Sequence, residues 1–425
     1  MVIIAVAAAF VLVMFLTKGI FSPAKLFAIM WTLLILGYYC FSSKTTSGVG
    51  LLWIVVAMIV LAIGERIGSD YAAKRYKYSS TVADVRTVRA TGRRLSYGVL
   101  LFILIALLGK VAFLYANGYG LSVFFDIDKF MSMNTEMAYD RYNGGTVTNN
   151  LITLLSSFGY VAPLCGGYLL PYACKRKRRI FLSFLSFFPV LLSMAMDNTK
   201  SGVIDAAILF AIGFMVAYMK LRKRSPKFKL GQIVLIAFLL LLLFALLFVS
   251  MCIRIGDFSA ETIEIVKGKF IVYAFGSVEA FDVWLTQHYT FGTYGFGVNT
   301  FMAPFNLLGI VNREQGLYGF VDGAASNVFS AFRGVIMDFG IIGGLLFVFL
   351  IGMLGGIACR KIKSHGSVGA QFIYATLLFL LIRSYLCSPW IYTSFWVTFV
   401  VFLLFIALSS KRVYSRVVVK HKQTA

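Results

Sequence analysis

Long apolar runs recur through this chain of 425 residues and decide most of what it can fold into. Crossing about 30 Å of hydrocarbon at 1.5 Å per residue takes roughly 20 helical residues, and lipid offers the backbone no hydrogen-bond partner. Eleven runs approach that requirement: 2–16, 26–41, 50–64, 97–116, 151–174, 180–196, 203–219, 231–253, 335–359, 368–388 and 390–408. The second and third are short and could tilt less or be partly re-entrant. The expected fold is an all-α polytopic membrane protein with about 11 transmembrane helices, in a range of 10–13. Composition agrees, at 60% hydrophobic and only 13% charged residues, too apolar for one soluble core to hide.

The connecting segments separate by charge. Segments 17–25, 65–96, 175–179, 220–230, 360–367 and the tail after 409 carry 29 of the 40 Lys and Arg against three acids, Glu65, Asp70 and Asp84. The rest of the chain holds 11 bases and 14 acids. The positive-inside rule places the basic set in the cytoplasm, the N-terminus outside and the C-terminus inside, as eleven crossings require. The net charge of +23 is then a record of topology, and the nucleic-acid partner it first suggests is dropped. The basic runs read as topology determinants and anionic-lipid contacts. The first run has no positive residue before it and its first base, Lys18, follows it, so it reads as a retained span. Six scattered Cys without C-x-x-C, three His and no G-x-x-x-x-G-K-[ST] argue against a zinc site, a disulfide framework and an ATP motor on this chain.

Three regions are expected: a bundle of eight spans over 1–253 with an outer loop at 115–150, a long outer loop over 254–334 containing short helices, and C-terminal spans with a basic tail over 335–425. Loops this long are usually functional. Within the second, 259–273 (SAETIEIVKGKFIVY) reads as an amphipathic interfacial helix, with Ile263, Val266 and Phe270 on one face. No internal repeat is evident, which argues against an inverted-repeat transporter.

Ionisable groups in or beside spans are costly and need a partner or a role. Arg383 falls inside the tenth run, Arg254 ends the eighth, and Lys110 and Asp205 stand near outer ends. Lys200 sits in the turn DNTKSG, and Arg333 and Asp338 flank the entry of the ninth run. Snorkelling and structural pairs, such as Lys200 with Asp205 or Arg333 with Asp338, would account for single residues. Several cations gathered at one face instead suit a polyanion, and a diphosphate on a membrane lipid lies at that depth. His288 is the one His on the outer side and suits proton transfer near neutral pH, with Glu279 and Asp282 as rival bases. The triplet Asp126-Ile127-Asp128 resembles a metal-binding DxD, but its outer position argues against a metal, and none is expected. Gly340–Gly344 and Gly352–Gly356 read as close helix packing.

Three segments resemble the Wzy-type O-antigen and oligosaccharide repeat-unit polymerases: YAFGSVEAFDVWL (273–285), YGFGVNTF (294–301) and SNVFSAFRGVIMDFGIIGG (326–344). The basic turn NTKSG (198–202) looks like a further family feature. The resemblance implies a metal-independent glycosyltransferase without a cofactor, on the periplasmic face of the bacterial inner membrane. Its partners would be donor and acceptor oligosaccharides on undecaprenyl diphosphate, membrane lipids, and a chain-length regulator protein as a further candidate. By analogy Arg254, Lys200, Arg333 and Arg383 hold diphosphate, and Asn327 lies in the third motif. Tyr273, Tyr294, Phe301 and Phe305 could stack on sugars, and His288, Glu279 or Asp338 takes the acceptor proton. Lys200 stands where relatives often have Arg, and Ser326 where related ligases tend to have His. An O-antigen ligase, a lipid-linked oligosaccharide flippase and a non-catalytic assembly factor are the competing readings.

Overall fold

The computed structural model describes the chain except for residues 18, 20–21, 43–45, 77–84, 144, 146, 198–199, 227–229, scattered positions between 232 and 250, 253–258, 313–329 and 423–425. Every regular element among the described residues is helical. In order these are α1 (Val2–Leu16), α2 (Pro23–Phe41), α3 (Val49–Arg75), α4 (Val85–Ala116), α5 (Ile127–Asn143), α6 (Asn150–Leu169) and α7 (Lys177–Leu185). Then follow α8 (Phe188–Asp197), α9 (Lys200–Arg222), α10 (Ala260–Val283), α11 (Met302–Leu307), α12 (Ala331–His365), α13 (Val368–Arg383) and α14 (Thr393–Lys422). Seven described segments are long and apolar enough to cross a membrane, and α1, α13 and 393–409 are shorter apolar helices. The chain is an all-α polytopic membrane protein. Ten of the eleven expected runs coincide with these helices; the run 231–253 lies partly outside the described residues.

Several boundaries differ from the expected ones. Helix α3 continues through the charged stretch to Arg75 and α4 begins at Val85, so most of the supposed loop 65–96 extends the spans as helix. Lys, Arg and Glu are good helix formers, and leaving the hydrocarbon does not require leaving the helix. The run 180–196 is two helices, α7 and α8, broken around Ser186–Phe187. Pro189 explains the break: it has no amide to donate, and its ring opposes the carbonyl four residues back. Helix α13 ends at Arg383, so this residue closes a helix and does not lie inside one. Helix α10 is longer than the interfacial helix expected at 259–273 and includes the first resemblance segment as far as Val283. Val266 is buried, whereas Ile263 is exposed.

The chain forms two compact units. The first comprises 1–74, 225–357 and 380–391. Its core is aromatic, with Phe27, Trp31, Trp53 and Phe281 around Phe332 at ring separations of 5.0–6.5 Å. Helices α3 and α12 cross with backbones touching: a Cβ at Gly64 or Gly68 would strike the carbonyl of Phe349 or Met353, and one at Gly352 or Gly356 that of Leu61 or Glu65. The small-residue pair at 352 and 356 is therefore a packing device. Buried Glu65 accepts the Ser22 hydroxyl and the Ala24 amide, both at 2.8 Å, and closes the start of α2.

The second unit comprises 75–224, 358–379 and 392–425. It is centred on α6, against which α4 packs at Gly109 and α9 at Gly213. The buried Tyr168 hydroxyl donates to Gln371 (2.7 Å) and accepts from Lys220 (3.1 Å), satisfying polar groups within an apolar interior. At the far end of α4, helix α5 packs on α8 through Leu114, Val123, Met133, Met137 and Met196. Asp126 of the DxD triplet accepts the Lys129 amide (3.2 Å) and pairs with its ammonium (3.1 Å), so it opens α5.

Tyr119 in this region donates to Glu136 at 2.6 Å. Burial, and then the carboxylate it bonds, push its phenol up to about 12. A raised native value favours the protonated native state. Its contribution is therefore complete below the ordinary tyrosine value near 10 and is lost as pH rises through about 12. NMR of protein with ring-labelled tyrosine, assigned by Tyr119→Phe, should show this resonance unchanged at pH 11. Titration at the ordinary value would refute the contact.

Candidate functional site

The turn 294–300, the break in α12 and the end of α10 meet in the first unit. Helix α12 is anchored where it starts: the Ala331 amide donates to the Ser384 carbonyl at 2.7 Å, and the Ser330 hydroxyl to the same oxygen at 3.1 Å. Two turns later Gly340 has φ +76° and ψ 176°, a conformation that favours glycine and interrupts the helical ladder. The Tyr294 ring lies 3.0 Å from where a Cβ at Gly340 would stand.

The interruption leaves work for the preceding carbonyls. Gly295 donates its amide to the Met337 carbonyl (3.0 Å) and Phe296 to that of Asp338 (3.3 Å). The Asp338 carboxylate, fully buried, accepts the Asn299 amide at 3.0 Å, the Asn299 side-chain amide at 2.9 Å and the Thr300 amide at 2.6 Å. Gly295 is required here too, because a Cβ would collide with Asn299 and with Asp338. The Thr300 carbonyl accepts the Ser388 hydroxyl (2.8 Å), and Phe301 stacks on Trp390 at 4.8 Å and 8°. The turn is thus held on two sides by backbone-directed bonds, the rigid support that a binding site requires.

Beside the turn, α10 ends in one π-helical turn, Trp284–His288, a local widening common at functional sites. His288 is exposed at its end. A cleft of about 520 Å³ lies between this turn and the 294–300 turn, lined by Trp284, His288, Tyr289, Thr290, Thr293, Tyr294, Gly295, Asn299 and Met337. The Arg333 guanidinium stands over the Trp284 ring, 5.5 Å from its centre, a cation–π contact that places a positive charge next to the cleft wall. Burial, and then Tyr294, hold the Tyr289 phenol above its ordinary value, so it remains a neutral donor. Aromatic faces interleaved with hydroxyls and an amide suit a ligand that has both C–H faces and hydroxyl groups.

The structure brings His288, Tyr294 and Asp338 together, with Arg333 adjacent. Asp338 does not pair with Arg333 as the spacing suggested; it takes amides of the turn instead. Asp282, the rival base, is likewise committed, accepting the Ser47 hydroxyl (2.8 Å) and the Gly48 and Gly50 amides (3.0 and 2.7 Å) at the start of α3. Glu279 is buried within α10, and Tyr273 is exposed on the same helix, 15 residues before His288. Arg383 is buried and donates to the Cys387 sulfur at 3.3 Å. Lys200 opens α9 in the second unit, and its side chain lies outside the described residues, as do Arg254 and Asn327. Phe301 is engaged in packing. The contributors that sequence reasoning passed over are Asn299, Thr300, Tyr289, Thr290 and Thr293. The run N-T after YGFGV was the available signal. Compared with known proteins, the chain matches no family model, no curated protein and no solved structure.

Proposed function

We propose that this membrane protein is a glycosyltransferase that polymerises lipid-linked oligosaccharide repeat units on the periplasmic face of the bacterial inner membrane. It would transfer the growing glycan from undecaprenyl diphosphate to a sugar hydroxyl of another lipid-linked repeat unit. One observation supports this reading above others. Two of the segments on which the resemblance rests, 294–301 and 326–344, are joined by the bonds from Asn299 and Thr300 to Asp338, beside a cleft that carries His288.

In this proposal the acceptor hydroxyl oxygen attacks the anomeric carbon of the donor. The bond from that carbon to the diphosphate breaks, and undecaprenyl diphosphate leaves with the electron pair. His288, exposed in the cleft, takes the hydroxyl proton; Asp338, saturated by amides, positions the turn instead. Arg333, Arg383 and Arg254 are the proposed cations for the leaving diphosphate, where neutralising developing charge lowers the barrier; Lys200, of the second unit, is a separate candidate from the sequence. Tyr294 offers a stacking face.

Surface glycan from cells carrying single substitutions tests the reading. His288→Ala should lower polymer by roughly 100-fold or more at unchanged protein level, the usual worth of a general base. Single repeat units should remain at the surface, as loss of a flippase would not allow. Normal chain lengths in both Arg254→Ala and Lys200→Ala would overturn the diphosphate role.

A further inference from the structure

In the second unit, at the end of α4 opposite the α5 region, lies a group of arginines that the proposed chemistry does not use. Arg179, in the first turn of α7, is buried, 6% exposed. It donates to the Tyr172 carbonyl at 3.2 Å and the Arg89 carbonyl at 3.0 Å. The space it fills is made by Gly92 of α4, where a Cβ would stand 2.6 Å from the guanidinium. Arg89, Arg93 and Arg176 are close enough to act on it electrostatically, and all three side chains are exposed. Segments 85–125 and 141–196 contain no Asp or Glu, and no described carboxylate forms an ion pair with these four guanidiniums. The start of α7 adds to the positive field: Arg176 occupies the cap position without a side-chain cap bond, and the first turn has no acid. Gathered cations with no counter-charge paired to them among the described residues repel one another, a cost that an anion would remove.

The apolar surface below selects among anions. Directly after the cations, α7 exposes Phe181 and Phe184, 67% and 54% accessible, and α4 exposes Tyr97, Leu100, Leu101 and Leu104 past Arg93 and Arg94. A ligand meeting both parts is anionic at one end and aliphatic at the other. We propose that Arg89, Arg93 and Arg176, ordered around buried Arg179, form a binding site for the headgroup of an anionic phospholipid whose chains lie along the exposed faces of α4 and α7. The site is independent of the glycosyltransferase reading.

The full-length protein, purified in detergent and exchanged into nanodiscs, provides the test. Discs of mixed phosphatidylglycerol and phosphatidylcholine should leave phosphatidylglycerol enriched on the protein in native mass spectra. Thermal unfolding should rise with phosphatidylglycerol and not with phosphatidylcholine alone. The triple variant Arg89→Gln, Arg93→Gln, Arg176→Gln retains Arg179 and the backbone carbonyls it binds. It should lose the retained lipid by about tenfold or more, given the typical attraction per basic residue. The variant Lys74→Gln, Arg222→Gln, Arg224→Gln removes the same charge elsewhere and should keep the lipid. Equal retention in both variants, or equal loss in both, would overturn a defined site. Equal stabilisation by millimolar inorganic phosphate would also overturn it, by showing that the aliphatic part contributes nothing.

Discussion

Asp338→Ala should abolish the proposed polymer formation and lower the stability of the folded protein together. The carboxylate accepts the Asn299 and Thr300 amides, and it sits where water does not reach them. Leaving a buried donor unsatisfied costs about 1–3 kcal/mol, and two backbone amides and one side-chain amide lose this acceptor at once. The expected loss, several kcal/mol, is a large part of the roughly 5–15 kcal/mol that holds a typical domain together. The turn would lose its seat on α12, Tyr294 its contact with Gly340, and the cleft its far wall. Asp338→Asn discriminates between roles. Its oxygen can keep the bonds from Asn299, but its NH₂ would face the Thr300 amide, donor against donor. A positioning carboxylate predicts that stability and chain length fall in parallel in Asp338→Asn, and that His288→Ala loses chain length alone. If Asp338→Asn melts like the parent yet makes no polymer, Asp338 acts in proton transfer and the assignment to His288 fails.

The distinction between these two residues was only half legible in the chain. Hydropathy located the apolar helices because lipid imposes a length and a composition, and both are local properties. Charge separated the basic connections for the same reason. The break at Pro189 and the end of α13 before Pro389 were visible as prolines but hidden by averaging over apolar runs. What no local pattern could supply was the partner of each buried acid. Read along the chain, Asp282 and Asp338 look like candidates for chemistry, and Glu65 like one acid in a basic connection. In space each accepts amide or hydroxyl donors at the start of another segment: α2, α3 and the 299–300 turn. In an apolar interior a carboxylate satisfied in this way ties distant segments with backbone-directed bonds. The short motif containing Asp338 therefore reads as architecture as much as chemistry, which leaves the exposed His288 in a different position from the buried acids beside it.

The second large effect is expected at the crossing of α3 and α12. Gly68→Leu should prevent accumulation of folded protein, and Gly68→Ala should lower stability by roughly 1–3 kcal/mol. The reason is geometric: the Gly68 Cα faces the backbone of Met353, and the first atom of any side chain would meet its carbonyl. A flexible side chain could move aside, but a helix backbone held along its length cannot. The contact is reciprocal, with Gly64 against Phe349, Gly352 against Leu61 and Gly356 against Glu65, so one wedge would part four approaches together. Without a hydrophobic drive between helices in lipid, this close contact is itself a main source of their attraction. The substitutions Gly352→Leu and Gly64→Leu should behave as Gly68→Leu does. Gly268→Leu, at an open position of α10 with nothing within 4 Å of its Cβ, should be tolerated. Detergent-solubilised yield and the melting of each variant check this. A Gly68→Leu protein with parental yield and melting would mean that the two helices are not in backbone contact. The Glu65 cap on α2 supplies an internal gauge, because Glu65 lies between Gly64 and Gly68 on the same helix. Displacing α3 should weaken that cap, so the Gly68→Leu and Glu65→Gln effects should combine to less than their sum.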